Sequence, residues 1–338
     1  MMNKRTIVVF ASLSIALPLL FCMNIVLGSV SIPLADALSV VFHPDGTPET
    51  WRFIILESRL PQAITAMLCG TALATSGLLL QTVFSNPLAG PSILGISSGA
   101  SLGVAIVILL MGGSISIASV SLSGALAIIV GALIGAMLIM TVIIYLSTLI
   151  RSNTMLLIAG IMIGYLASSA ITLLNFMATA EGVQSFIVWG MGNFGGVSME
   201  SMPVFASTTL LGLALACSLV KPLNALLLGR QYAENLGINI RRTRFLILAS
   251  TGIMTGVVTA YCGPIAFLGV AVPHIARLIL RSGNHKQLLP ATLLSGAVLA
   301  LACNLLCVVF TESVIPLNAV TPIIGAPVII YVILKGRQ

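Results

Sequence analysis

Few side chains in this sequence are of types that do chemistry, and their spacing narrows what that chemistry can be. Its 338 residues hold eight acids, three histidines and six cysteines. Glu57, Glu181 and Glu312 sit at the ends of apolar segments rather than inside them. His274 follows Pro273 and precedes Arg277, a place for a packing or capping group as readily as for a ligand. Cys303 and Cys307 share a helix face, but with no His or carboxylate nearby they read as small buried hydrophobes, and no metal site is implied. There is no GxxxxGK[ST] phosphate loop, so the chain does not bind ATP in that way, and no nucleophile–base pair. It is not read as an enzyme. The informative polar stretches are three: Arg59-Leu60-Pro61-Gln62; the uncharged turn Asn86-Pro87-Leu88-Ala89-Gly90-Pro91; and Leu228–Ile238, LGRQYAENLGI. In the last, Gly229 and Gly237 bracket a helix-compatible run that ends on a C-cap-like glycine. That run is either a short docking helix for a soluble subunit or an ordinary solvated loop.

The elements that must position these stretches are membrane helices. The chain is 58% hydrophobic and only 7% charged, against about 25% charged in soluble domains. So few charges cannot cover a surface in water, and lipid must be the solvent. With roughly 20 apolar residues per span, about ten segments qualify: residues 6–28, 61–83, 92–111, 117–148, 155–178, 202–220, 245–262, 265–280, 288–310 and 318–334. Lys4 and Arg5 ahead of Ile7–Leu20 resemble a signal peptide, but the apolar run continues to Val26 without a clear cleavage site, so an uncleaved first helix is expected. The whole of 1–338 is read as one polytopic domain.

Charge supports this reading. With the N-terminus in the cytoplasm and the spans alternating, only Arg52 and Arg59 of the fifteen Lys and Arg fall outside, as the positive-inside rule requires. Arg151, Arg230, Arg241, Arg242, Arg244 and Arg337 fall inside, while Asp36, Asp45, Glu49 and Glu312 fall outside. Both termini are then cytoplasmic. The net charge of +7 is therefore a membrane signature and gives no reason to invoke nucleic acid. The segment 92–111 is rich in small residues (Gly95, Ser97, Ser98, Gly99, Ala100, Ser101, Gly103), which let helix backbones approach where lipid supplies no hydrophobic drive. Gly90-Pro91…Leu94-Gly95 is echoed by Gly263-Pro264…Leu268-Gly269, a faint repeat of the sort transporters carry. Ion-coupled carriers hold ionisable groups or broken-helix carbonyls inside the bundle. This chain offers almost none, so if it transports, the energy enters from a cytoplasmic partner. An ion-coupled secondary transporter and a non-transporting scaffold stay open on composition alone.

The blocks RLPQ, GTALATSGLLLQ and NPLAGPSILGISSGASLG, then LGRQYAENLGI, GPIAFLGVAVPHIARL and AVTPIIGAPVIIYVIL, recur in order over nearly the whole chain. Together they resemble the permease family of ABC importers for cobalamin, haem and ferric siderophores. The resemblance implies an all-α, BtuC-like type II importer fold of ten helices in a bacterial inner membrane. It implies a homodimer with two ABC ATPase subunits on the cytoplasmic side and a periplasmic or lipid-anchored substrate-binding protein outside. The chain itself would carry no cofactor, ATP and Mg²⁺ belonging to the ATPase. It assigns coupling to a loop at about 228–242 through Gly229, Arg230, Gln231, Ala233, Glu234, Leu236 and Gly237. It assigns a cytoplasmic gate to Asn86, Pro87 and Leu88 with Asn153 and Thr154, where charge would repel the identical copy across a two-fold axis. It assigns binding-protein docking to Arg59. Here Gln62 replaces the motif's second Arg, Cys307 stands where another external Arg is frequent, and Arg52 is a substitute.

Overall fold

The computed structural model describes residues 3–28, 30, 32–42, 48–117, 120–150, 152–309 and 315–335. Asp45, Arg151, Glu312 and Arg337 lie outside the described residues. Among the described residues the elements are helical except for one hairpin: α1 (Lys4–Val26), α2 (Leu34–Phe42), α3 (Glu49–Arg52), wide π-type turns over Phe53–Arg59, α4 (Leu60–Phe84), a 3-10 turn (Pro91–Leu94), α5 (Ile96–Ala105) and further π-type turns (Ile106–Leu110). After β1 (Ser114–Ile117) and β2 (Val120–Ser123) come α6 (Ala125–Leu149), α7 (Asn153–Met177), α8 (Ala180–Gly190), α9 (Met202–Ser218), α10 (Val220–Leu226), α11 (Arg230–Asn235), α12 (Ile240–Cys262), α13 (Leu268–Leu280), α14 (His285–Val309) and α15 (Leu317–Lys335). Among the described residues, six helices are long and apolar enough to cross a membrane, or seven if α9 and α10 count as one bent span. Ile96–Leu110, Leu268–Leu280 and Leu317–Val332 are shorter apolar helices.

Several boundaries differ from the sequence expectation, each for a local reason. The span expected over 117–148 begins only at Ala125, because Ser114–Ile117 and Val120–Ser123 pair as an antiparallel hairpin. The polar stretch after the first span is largely helical, and Glu49–Phe84 runs as one 36-residue helix. The span expected from 245 begins at Ile240, with the Asn239 side chain accepting from the Arg242 N–H. This N-cap draws Arg241, Arg242 and Arg244 out of the expected loop and onto a helix. The span expected over 202–220 ends at Ser218, and the chain turns by 51° into α10. Pro222 lacks the N–H that would reach the Ser218 carbonyl, so the ladder breaks there.

The chain forms two compact units, the first from Met1–Ala74, Asn193–Ser207 and Ala266–Gln338, the second from Thr75–Gly192 and Thr208–Ile265. In the first, α1 packs on α14, which also packs against α13 and α15. Polar side chains finish helix ends and link helices. Arg5 donates from Nε to the Ile279 carbonyl (2.6 Å) and from Nη2 to Leu278 (3.1 Å) at the end of α13. Asn24, Gln62 and Asn304 link α1, α4 and α14: Asn304 Nδ2 donates to Asn24 Oδ1 (2.8 Å), and Gln62 Nε2 to Asn304 Oδ1 (3.1 Å). A smaller cluster of Ile32, Ala37, Val40 and Ile55 seats α2 against the Phe53–Arg59 turns.

In the second unit the packing of α5 on α6 is set by glycine. Gly99 and Gly103 on α5 face Gly135 and Gly131 on α6 in antiparallel order, and a Cβ on either Gly103 or Gly135 would collide with the carbonyl oxygen opposite. Backbones this close are the use to which membrane helices put small residues, as the sequence pattern implied for 92–111. Gly103→Ala and Gly135→Ala are therefore expected to lower the melting temperature of the purified chain, at a cost of about 1–3 kcal/mol each from overpacking. Gly190→Ala, with open space around it, should leave it unchanged. Equal melting temperatures for all three would overturn the glycine-seam account.

Candidate functional site

Two of the three polar stretches lie in the second unit. The turn after α4 starts from the carbonyls a helix leaves unpaired at its C-terminus. Ser85 adopts a left-handed φ of 49°. Its N–H bonds the Thr82 carbonyl (3.3 Å), and the Asn86 N–H bonds that of Gln81 (3.2 Å). This is the Schellman pattern, in which glycine usually holds the left-handed position. The next carbonyl, that of Val83, is met from elsewhere: Asn153 Nδ2 donates to it at 2.6 Å. Asn153 can reach because it opens α7, where the Ser152 side chain accepts from the Met155 N–H and caps the helix. Asn86 Oδ1 then accepts from the Leu88 N–H (2.9 Å), which closes the turn. Leu88 and Pro87 are exposed, as is Thr154 one residue beyond Asn153. Asn153 thus holds the end of α4 from which the Asn86–Leu88 turn departs, and the exposed Pro87, Leu88 and Thr154 carry no charge.

The LGRQYAENLGI stretch forms a helix, α11, at the place its glycines bracket. Gly229 enters it at φ 101° and Gly237 leaves it at φ 80°. The Gly237 N–H bonds the Glu234 carbonyl (2.9 Å) and the Ile238 N–H that of Ala233 (3.0 Å), a second Schellman end. Ala233 is fully buried and anchors the turn, while Leu228, Tyr232 and Leu236 are exposed. Gln231 is also exposed. Arg230 and Glu234 pair along the helix at 3.0 Å. This exposed i,i+4 pair contributes about 0.3–0.5 kcal/mol, enough to orient two side chains and too little to hold the helix.

The end of α4 with its partner Asn153, and Arg230 of α11, border one cavity of about 550 Å³. Val83 and Asn153 line one side, Arg230 another, and Arg241, Arg242 and Arg244 at the start of α12 a third. Arg244 is 7% exposed. Its Nη1 donates to the carbonyls of Ile150 (2.9 Å) and Ser147 (3.4 Å) at the end of α6. The sequence placed these arginines on the inner side but gave no sign that they wall a cavity. The dense Arg241-Arg242-Thr243-Arg244 run was the available signal, and its meaning depended on α12 beginning at Ile240.

The docking stretch lies apart from this cavity in the chain and belongs to the first unit. Arg59, expected at an outer surface, is 7% exposed. Its Nη1 donates to the carbonyls of Val26 (2.7 Å) and Ile25 (3.1 Å), and its Nη2 donates to Val30. It therefore caps the end of α1. Gln62 is held by Asn304. Of the three, only Arg52 is exposed. Cys303 and Cys307 are buried with free thiols. Among the described residues no three His, Cys, Asp or Glu side chains gather as for a metal, and no Asp or Glu is buried.

Six or seven helices long and apolar enough to cross a membrane, among the described residues, make this a polytopic membrane protein, and its family match makes it a transport permease subunit, not an enzyme. The profile of the FecCD transport family matches residues 16–335. The chain belongs to that family. It is 34% identical over 328 residues to the hemin transport system permease protein HmuU of Yersinia pestis, covering 95% of both chains. It is 34% identical over 287 residues to the vitamin B12 import system permease protein BtuC of Klebsiella pneumoniae, covering 85% of this chain and 84% of the relative. A solved structure described as an inward-facing conformation of a metal-chelate type ABC transporter superposes with a TM-score of 0.82 at 26% identity, over 98% of this chain and 99% of the other.

Two outcomes follow. Asn153→Leu keeps the side chain's bulk and removes its donor, at a net cost of about 1 kcal/mol. Amide exchange at Asn86, Leu88 and Ala89 should then rise several-fold, and unchanged exchange would show that Asn153 does not hold the turn. Arg59→Ala leaves buried carbonyls unpaired and should lower stability by about 2 kcal/mol, whereas Arg52→Ala should not. The check is thermal unfolding of each variant in detergent.

Proposed function

We propose that this chain is the permease subunit of a bacterial ABC importer in the inner membrane, moving a large metal chelate of the cobalamin, haem or ferric siderophore class. It works as a homodimer, with both termini cytoplasmic. An ATPase subunit, which binds ATP and Mg²⁺, docks against α11 of each copy, and a substrate-binding protein docks outside. Arg52 is the exposed base available to that outer contact, since Arg59 and Gln62 are engaged within the fold.

The observation that carries this reading is the shared cavity. A short helix with exposed Leu228, Tyr232 and Leu236 offers an apolar docking face, and its Arg230 borders the same cavity as Val83 and Asn153. A displacement of α11 therefore acts on the walls that hold the Asn86–Leu88 turn. The absence of buried carboxylates among the described residues supports a driving force delivered from outside the chain, because ion-coupled carriers keep such groups in the bundle.

The test is uptake by proteoliposomes holding the permease, its ATPase and its binding protein, with cobalamin, haemin and a ferric siderophore offered separately. Uptake should require ATP on the cytoplasmic side. Glu234→Arg, which puts two like charges on adjacent turns of α11, should reduce it at least tenfold while the chain still folds, a loss of about 1.4 kcal/mol or more in coupling. Uptake driven by an ion gradient without ATP would overturn the proposal.

A further inference from the structure

The arginine-walled cavity carries more than the coupling role uses. Four guanidinium groups, those of Arg230, Arg241, Arg242 and Arg244, line about 550 Å³, and among the described residues no acid lines it. Among the described residues only Arg230 of the four has a carboxylate partner, Glu234. Arg244 is more than nine-tenths buried. Its Nη1 caps α6, but its Nε and Nη2 are buried and have no hydrogen-bond partner. A guanidinium carries five donors in a planar fork, and leaving buried charged donors unpaired is costly. Three helix ends converge on the same cavity: Ser147 and Ile150 close α6, Asn153 opens α7, and Asn239 and Ile240 open α12. Two of these are N-termini, each with one N–H already met by its cap (Ser152, Asn239) and with remaining N–H groups and dipoles that favour an anion, while the carbonyls of the α6 C-terminus are met by Arg244. Exposed Phe245 on the rim adds an apolar edge.

An arginine fork, helix N-termini and positive walls around a cavity of this size match one ligand chemistry, the tetrahedral phosphate group, which guanidinium binds bidentately. We propose that the cavity is a phosphate-group site, whose occupant bridges Arg244 to Arg241 and Arg242 beside the Asn153-held turn. Its place at the ends of three membrane helices, with Phe245 at the rim, makes an anionic phospholipid headgroup one source, and free inorganic phosphate is the other. The site stands on this geometry and does not depend on the importer reading. Its consequence for that reading is that an occupant would tie the base of α12 to the gate turn and oppose their separation.

The experiment uses the full chain and the double variant Arg241→Gln/Arg242→Gln. Both residues are exposed on the first turn of α12, so folding is preserved where Arg244→Gln would put it at risk. Lys286→Gln, an exposed base elsewhere, is the control. In the lipid arm, native mass spectrometry measures phosphatidylglycerol retained from mixed nanodiscs. Retention should fall about tenfold or more in the double variant, as expected when two basic side chains beside a phosphate are neutralised, and should not fall in the control. In the free-anion arm, inorganic phosphate is titrated onto the chain in phosphatidylcholine nanodiscs. A rise in melting temperature with phosphate, in wild type and control but not in the double variant, assigns the site to the free anion. Either arm responding in this pattern supports the proposal. Identical behaviour of wild type and double variant in both arms overturns it. So does a double variant that loses the ATPase subunit while its lipid retention and phosphate response match wild type, since the arginines would then be protein-docking charges.

Discussion

In a membrane every backbone carbonyl that a helix end leaves open must find a partner within the protein, and much of what is distinctive here answers that demand. Arg5 meets the end of α13, Arg59 the end of α1, Arg244 the end of α6, and Asn153 the end of α4. Each of these side chains comes from a different helix than the one it finishes. The same act that satisfies a carbonyl thus fixes how two helices meet. Hydrogen bonds to charged donors contribute about 1.5–3 kcal/mol, more than most contacts between apolar helices in lipid, where no hydrophobic drive brings helices together. The glycine seam between α5 and α6 does the complementary work, bringing backbones close where no side chain intervenes.

Seen this way, the Asn86–Leu88 turn and α11 are two helix ends solved differently. At α11 glycine supplies the left-handed residue, and the end closes within its own segment. At α4 a serine takes that position at some conformational cost, and the last carbonyl relies on Asn153 from another helix. The first is self-contained and rests on one buried alanine. The second is conditional on α7 staying where it is, which is what the proposed gate role requires.

Much of this was legible in the sequence. The glycines at 229 and 237 marked α11, the small residues from Gly95 to Gly103 marked a close-packed helix, and the ordered motifs pointed to the family that the chain proves to belong to. What the sequence did not show depended on where long-range partners fell. Arg59 looked like an external charge because its partners, Ile25, Val26 and Val30, are backbone carbonyls and leave no trace in side-chain types. The Asn24–Asn304–Gln62 network joins residues up to 280 apart in sequence, each unremarkable in its own segment. The arginines of α12 read as loop charges until Asn239 was seen to cap a helix beginning at Ile240. Ile117 and Val120–Ser123, which belong to the hairpin, were read as the start of a span because alternating small and apolar residues fit either.

The central claim of the proposed function is that force arriving at α11 reaches the Asn86–Leu88 turn through the cavity that Arg230 borders together with Val83 and Asn153. The most direct test is the labelling rate of Leu88→Cys by a membrane-impermeant maleimide from the cytoplasmic side, in an otherwise cysteine-free chain assembled with its ATPase. Binding of ATP should change that rate several-fold, and should have no effect on the permease alone. A rate that stays the same with and without ATP, in a complex that is transporting, would contradict the account.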